Sequence, residues 1–153
     1  MIVRSQATPN LNVAGAYVSG DACGAGVLTF SNIFSGVSSE AKLLQVTVSD
    51  LAKQSIVGDL FLLNKDISTT TTVTDNGALD ITDSDMQYVL GVVPVPAANY
   101  AALNDNSIAT VQLTNFGLRR NEDGRNIFGI FVTRGTPTYA ANDLLISLVV
   151  ERG

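Results

Sequence analysis

Histidine and tryptophan are both absent from this chain of 153 residues. Without histidine the commonest general base, the usual triad base and the commonest metal ligand are missing. A single cysteine, Cys23, with no imidazole to join it, cannot build a familiar zinc site. Nor can it close an intramolecular disulfide, so nothing points to an oxidising compartment. Its place among small residues reads as a buried, structural thiol. The lack of tryptophan weakens a sugar-binding reading, because sugar platforms lean on large aromatic faces.

Charge is also scarce. Charged residues make up 15% of the chain, against about 25% in an average globular protein. Such an exterior suits a surface that a partner covers; the competing reading is a soluble monomer with a Ser/Thr/Asn surface. Nine basic residues against fourteen acidic ones give a net charge of −5, with no basic cluster beyond Arg119 and Arg120. Binding a phosphate backbone needs several converging cations, so nucleic acid is not an expected partner. No apolar run approaches the roughly 18 residues of a membrane span. The opening MIVRSQATPN lacks the apolar core of a signal peptide.

What the chain has is apolar residues, 46% of the total, in a length that suits one domain with a real core. The organising stretch is KLLQVTVSDLAKQSIVGDLFLL at 42–63. Leu44, Val46 and Val48 alternate with Gln45, Thr47 and Ser49, the period-two signature of a half-buried strand. After a polar connection, the run Leu60, Phe61, Leu62, Leu63 reads as a strand buried on both faces, and Gly58 within it as a bulge or a close backbone approach.

Further strands are expected over 27–34, 88–95, 108–113, 116–120, 127–133 and 144–151. Pro94 and Pro96 assign the second of these to an edge or a strand end. The segment 64–77, with its threonine tract, reads as an exposed loop or edge strand closed by the Asp75-Asn76-Gly77 turn. Eight or so strands with regular turns and only helical turns between them define an all-β, single-domain β-sandwich, jelly-roll-like, whose strand order the pattern does not give. Residues 1–16, small and polar with Pro9, read as an extended N-terminal arm, and 17–153 as the sandwich domain.

No constellation points to catalysis. Asp80, Asp83 and Asp85 form the densest carboxylate group, but lack the spacing and distal Glu of an EF-hand. They read as a capped turn with solvated acids rather than a calcium site or a glycosidase pair. Asn104, Asp105 and Asn106 read as a turn, Arg134 as the partner of a strand-end acid, and Asn121 to Arg125 as a hairpin tip. No enzymatic activity, metal or cofactor is expected.

Several pieces occur in order from about residue 17 to residue 150: Gly20-Asp21, DLAKQS at 50–55, Thr74-Asp75-Asn76, Asp83-Ser84-Asp85, Gly91-Val92-Val93, NSIA at 106–109 and FVTRGTPTY at 131–139. Their order and spacing resemble a family of small tailed-bacteriophage virion proteins, the capsid cement or decoration proteins. The resemblance implies a structural protein on the outer surface of the virion capsid. It would bind the major capsid protein, stabilise contacts between neighbouring copies and form a homo-oligomer, in particular a trimer. No active residue carries over, because the pieces mark β-turns. On this reading the arm is part of the clamp, with Ile2, Val3, Leu11 and Val13 entering apolar niches and Arg4 meeting an acid. A tail or fibre-base protein and a carbohydrate-binding sandwich are the alternatives.

Overall fold

The computed structural model describes residues 1–121 and 124–153. Among them run nine strands: β1 (Ile2–Ala7), β2 (Leu28–Phe30), β3 (Glu40–Asp50), β4 (Gly58–Leu63), β5 (Val89–Val95), β6 (Tyr100–Ala102), β7 (Ser107–Arg119), β8 (Ile127–Thr133) and β9 (Leu144–Arg152). They form a five-stranded sheet in the order β1-β9-β3-β7-β6 and a four-stranded sheet in the order β2-β8-β4-β5, with every pairing antiparallel. With short β6 set aside, the first strand pairs with the last, the second with the last but one, and so on inward to β4 with β5. This nesting is a jelly roll, a long antiparallel ribbon folded over into two facing sheets.

β3 lies in the middle of its sheet, and Leu43, Val46 and Val48 point into the space between the sheets, fully buried. Alternation alone assigns that face to Leu44. A bulge between Leu43 and Gln45 passes the inward position to Leu43 and leaves Leu44 half-buried. On β4, Leu60 and Leu62 enter the same core. Phe61 and Leu63 point the other way, into a second cluster with Ala22, Ile67, Val73, Ile130 and Val132. β4 is therefore buried on both faces, as its unbroken apolar run requires. Gly58 is the close approach, since a Cβ there would stand 2.6 Å from the Val132 carbonyl oxygen and 2.7 Å from the Phe131 ring.

Several sequence expectations need correction. The extended N-terminal arm is not found: Ile2–Ala7 is the edge strand β1, in register with β9 from Ile2 opposite Glu151 to Ala7 opposite Ile146. Its side chains alternate, with Val3 and Ala7 packed on the core, so a sequence that looked merely polar carries a strand whose partner is over a hundred residues away. The segment 64–77 is not an exposed loop, because Ile67, Thr71, Val73 and Asp75 are buried and the segment covers the outside of the four-stranded sheet. The expected strands 108–113 and 116–120 are one bulged strand, β7, while 27–34 shortens to β2. β5, carrying Pro94, lies at a sheet edge as proline demands.

Candidate interface and its anchoring network

The residues proposed for the arm divide in the structure. Ile2 and Val13 are exposed, and Arg4 is exposed on β1, where its Nη2 donates to Ser147 Oγ at 3.2 Å. Val3 is partly buried against the core, and Leu11 lies within it. Leu11 thus fills the protein's own interior, which leaves Ile2, Arg4 and Val13 as the members open to a partner.

Arg4 belongs to a larger surface, the outer face of the five-stranded sheet. Strand register sets Gln6, Ser147, Thr47 and Thr110 in one row and Arg4, Val149, Gln45 and Gln112 in the next. Beside them lie Leu145, Ser49 and Ile108. Gln112 Nε2 donates to Gln45 Oε1 at 3.0 Å, and Gln45 Nε2 donates to Thr47 Oγ1 at 3.0 Å. These two rows are therefore held by side-chain hydrogen bonds, with Arg4 their one charged side chain, while the adjoining row sets Ile2, Glu151 and Lys42 side by side. Within the face Ser147 and Thr47 are buried, whereas Arg4, Gln6, Ile108, Thr110 and Gln112 are exposed; the other sheet has 64–77 across its outside.

Four buried aspartates hold the connections: Asp21, Asp50, Asp75 and Asp85. Each falls in one of the pieces on which the family resemblance rests. Asp75 is the most heavily used. Its Oδ2 accepts the backbone N–H groups of Asn12 at 2.7 Å and Val13 at 2.8 Å. Its Oδ1 accepts the Tyr17 hydroxyl at 2.7 Å and the Gly24 N–H at 2.9 Å. Asp50 Oδ2 accepts the Tyr139 hydroxyl at 2.7 Å, and the two tyrosine rings meet edge to face with centroids 6.0 Å apart. A chain of paired tyrosines and aspartates thus ties the N-terminal segment, the 64–77 cover and the connection before β9 to one another.

Burial first, then the neighbouring aspartate, drives the pKa of Tyr17 and Tyr139 far above that of a free phenol; burial raises Tyr100 as well, whose hydroxyl donates to the Ile56 carbonyl. A raised folded pKa gives stability that is complete below the unfolded value of about 10 and is lost as pH rises toward the folded values. Phenolate absorbance from these tyrosines is expected to grow only as the fold is lost at alkaline pH. Their titration near the free value with the circular dichroism of the sheets intact would contradict the network.

Cys23 is buried, and burial, helped by the Asp75 charge, pushes its thiol up to about 12. In the native state it is expected to resist a thiol reagent by orders of magnitude relative to urea-unfolded protein, since the thiolate is the attacking form. Equal labelling rates in the two states would show that it is not enclosed.

The carboxylate group of 80–85 is not a set of solvated acids. Asp80 and Asp83 are exposed, but Asp85 is buried and its Oδ2 accepts the hydroxyls of Thr70 at 2.6 Å, Thr71 at 2.7 Å and Thr82 at 2.9 Å. The Thr70 and Thr71 hydrogen bonds lead in holding its carboxyl below the usual range. Its contribution is present at neutral pH and is lost as pH falls through that lowered value. Thr82 makes no side-chain cap to the 3₁₀ turn Asp83–Tyr88 because its hydroxyl is turned to Asp85. The threonine tract, read in sequence as an exposed loop, supplies the donors.

Arg134 pairs with Asp59 at the start of β4 at 2.7 Å, and Asn104 to Asn106 close the β6–β7 connection. Of the expected hairpin tip at 121–125, Glu122 and Asp123 lie outside the described residues. Among the described residues no group of three or more His, Cys, Asp or Glu is placed to hold a metal ion. No protein-family model matches the sequence, and the search of curated proteins found no match to it.

Proposed function

We propose that the chain is a structural virion protein of a tailed bacteriophage, a cement or decoration protein seated on the outer surface of the capsid. It would hold neighbouring major capsid proteins together as a homo-oligomer, in the first instance a trimer, with no chemical step. The observation that carries this reading is the outer face of the five-stranded sheet, where Arg4, Gln6, Ile108, Thr110 and Gln112 are exposed side by side. The outside of the four-stranded sheet is covered by the apolar residues of 64–77. The opposite face combines Leu145, Val149 and Ile108 with locked glutamine, serine and threonine side chains. With Gln45, Thr47 and Gln112 held by hydrogen bonds and Arg4 the one charge in its two central rows, it suits contact with another protein surface, since little side-chain entropy is lost there on docking. The order and spacing of the turn pieces add the family resemblance. The exposed members of the N-terminal segment, Ile2 and Arg4, lie at one margin of the same face, so edge strand and face can bind together.

The test is to mix the purified protein with undecorated shells assembled from a tailed-phage major capsid protein. Saturable binding and a raised shell melting temperature are expected, with both reduced by a charge reversal at Arg4 together with Thr110→Lys. Absence of binding by the wild-type protein, or of any effect on shell melting, would refute the reading. Light scattering that gives a monomer both free and on the shell would refute the trimer alone.

A further inference from the structure

We propose that the outer edge of β1 pairs with the same edge of a second copy, antiparallel about a two-fold axis, and so joins two five-stranded sheets into one. The contact is a staple between copies of this chain, separate from any three-fold contact.

The phase of the β1–β9 ladder identifies the backbone groups that are free. The Arg152 N–H donates to the Met1 carbonyl at 2.9 Å, and the Gly153 N–H donates to the Glu40 carbonyl on the other side at 3.3 Å. In an antiparallel pair, residues bonded to the neighbouring strand alternate with residues whose N–H and C=O point away from it. In the register of β1 with β9, Val3, Ser5 and Ala7 therefore bond to β9, while Ile2, Arg4 and Gln6 turn both backbone groups outward from the sheet. These three residues are exposed, and no turn or loop hydrogen bond among the described residues reaches their backbone.

The four sheet edges are not alike. β2 and β6 have three residues each, and β5 carries Pro94. Short strands and proline are the usual means by which an edge is kept from pairing. β1 runs for six residues in continuous register, with no proline, no bulge and Arg4 as its one charge. It is the edge left competent to pair.

The residues of β1 select its own copy as occupant, and select the register. Outward groups must meet outward groups, so even-numbered residues face even-numbered residues and the axis stands perpendicular to the sheet. Full overlap would set Arg4 against Arg4 of the second copy, and like charges directly opposite are destabilising. The neighbouring register sets Arg4 beside Gln6 of the second copy, and Gln6 beside its Arg4. On the core side it sets Val3 beside Ala7 and Ser5 beside its own equivalent. Both faces are then matched, polar outside and small or apolar inside. The perpendicular axis also turns the outer faces of both copies the same way, which doubles the surface proposed above to meet a shell. The pairing itself does not rest on that reading.

Amide exchange by NMR on the full chain at about 1 mM, with light scattering on the same sample, is the test. The Arg4 and Gln6 amides are expected to exchange at least about tenfold more slowly than in an unfolded peptide. The mass should be at least double that of Gln6→Pro at the same concentration. This proline removes only an outward donor, so Val3, Ser5 and Ala7 should keep their protection while Arg4 loses it. Should Gln6→Pro fail to fold, Gln6→Glu and Gln6→Arg, at the same exposed position, decide the matter. Glutamate should tighten association by about two- to thirtyfold through its cross-strand pairs with Arg4, and arginine should weaken it by a similar factor. Freely exchanging Arg4 and Gln6 amides, protection without added mass, added mass without protection, or equal association of the Glu and Arg variants would overturn the proposal. None of these outcomes depends on whether the protein binds a capsid.

Discussion

Asp75→Ala is expected to be the most damaging single polar substitution in the chain, lowering stability by about 3–5 kcal/mol. The side chain is buried and accepts four hydrogen bonds, three from backbone N–H groups and one from the Tyr17 hydroxyl. Alanine leaves all those donors in place. Each buried donor left without an acceptor costs about 1–3 kcal/mol, with partial relief wherever water enters. Against a total of about 5–15 kcal/mol for a domain, the loss brings the protein close to unfolding. Asp75→Asn is expected to fall between the two, because one amide oxygen still accepts while the NH2 group faces donors. Urea midpoints at neutral pH measure the order. An Asp75→Ala protein within about 1 kcal/mol of wild type would mean that water already shares these donors.

Gly58→Val is expected to lower stability by at least about 3 kcal/mol or to prevent folding, through sterics alone. The first added carbon would lie 2.6 Å from a carbonyl oxygen of the neighbouring strand and 2.7 Å from the Phe131 ring. Phe131 is fully buried and has nowhere to move, so β4 and β8 would have to separate at the end of their pairing, where Gly58 faces Thr133. Gly117→Ala is the matched control: it also lies in a strand, but a Cβ there meets nothing within 4 Å. Its effect should stay within about 0.5 kcal/mol, as for other surface changes. Equal thermal shifts for the two substitutions would show that the packing argument at Gly58 is wrong.

The strands that could be read from the sequence are those whose neighbours impose strict alternation or complete burial. In β3 and β4 the apolar pattern alone defines both the element and, apart from Leu43 and Leu44, its inward face. The bulge that exchanges those two leucines leaves no local mark, because it is set by different residue counts in β7 and β9. β1 was missed for a related reason. IVRSQA alternates, but its small and polar inward members look like a strand only when β9 lies beside it. The aspartate network was hidden because Asp75, Asp50 and Asp85 sit in turn-like contexts where a carboxylate usually faces water. Apart from Thr82, three residues from Asp85, their side-chain partners Tyr17, Tyr139, Thr70 and Thr71 come from segments that contact them only after folding. The turn pieces behind the resemblance hold every buried carboxylate among the described residues, although the sequence marks them only as turns. The candidate surface was less legible still. Arg4, Gln45, Thr47, Gln112 and Ser147 come from four strands, and only the register between them makes a face.

The pairing of the first strand with the last also governs the birth of the molecule. A ribosome delivers β1 before every other described strand, yet its partner in the sheet, β9, follows all the others, and β3 too keeps an open edge until β9 is made. The inner β4–β5 hairpin can form locally, but the five-stranded sheet cannot close during synthesis. Nascent chains therefore carry exposed strand edges for most of translation, and such edges pair readily with their like on neighbouring chains. A protein lacking its last nine residues should accumulate as insoluble material, whereas loss of a surface side chain should leave yield untouched. Rapid synthesis in many copies is thus the condition under which this fold is most exposed to failure, and the docking of β9 between β1 and β3 is the event that removes the hazard.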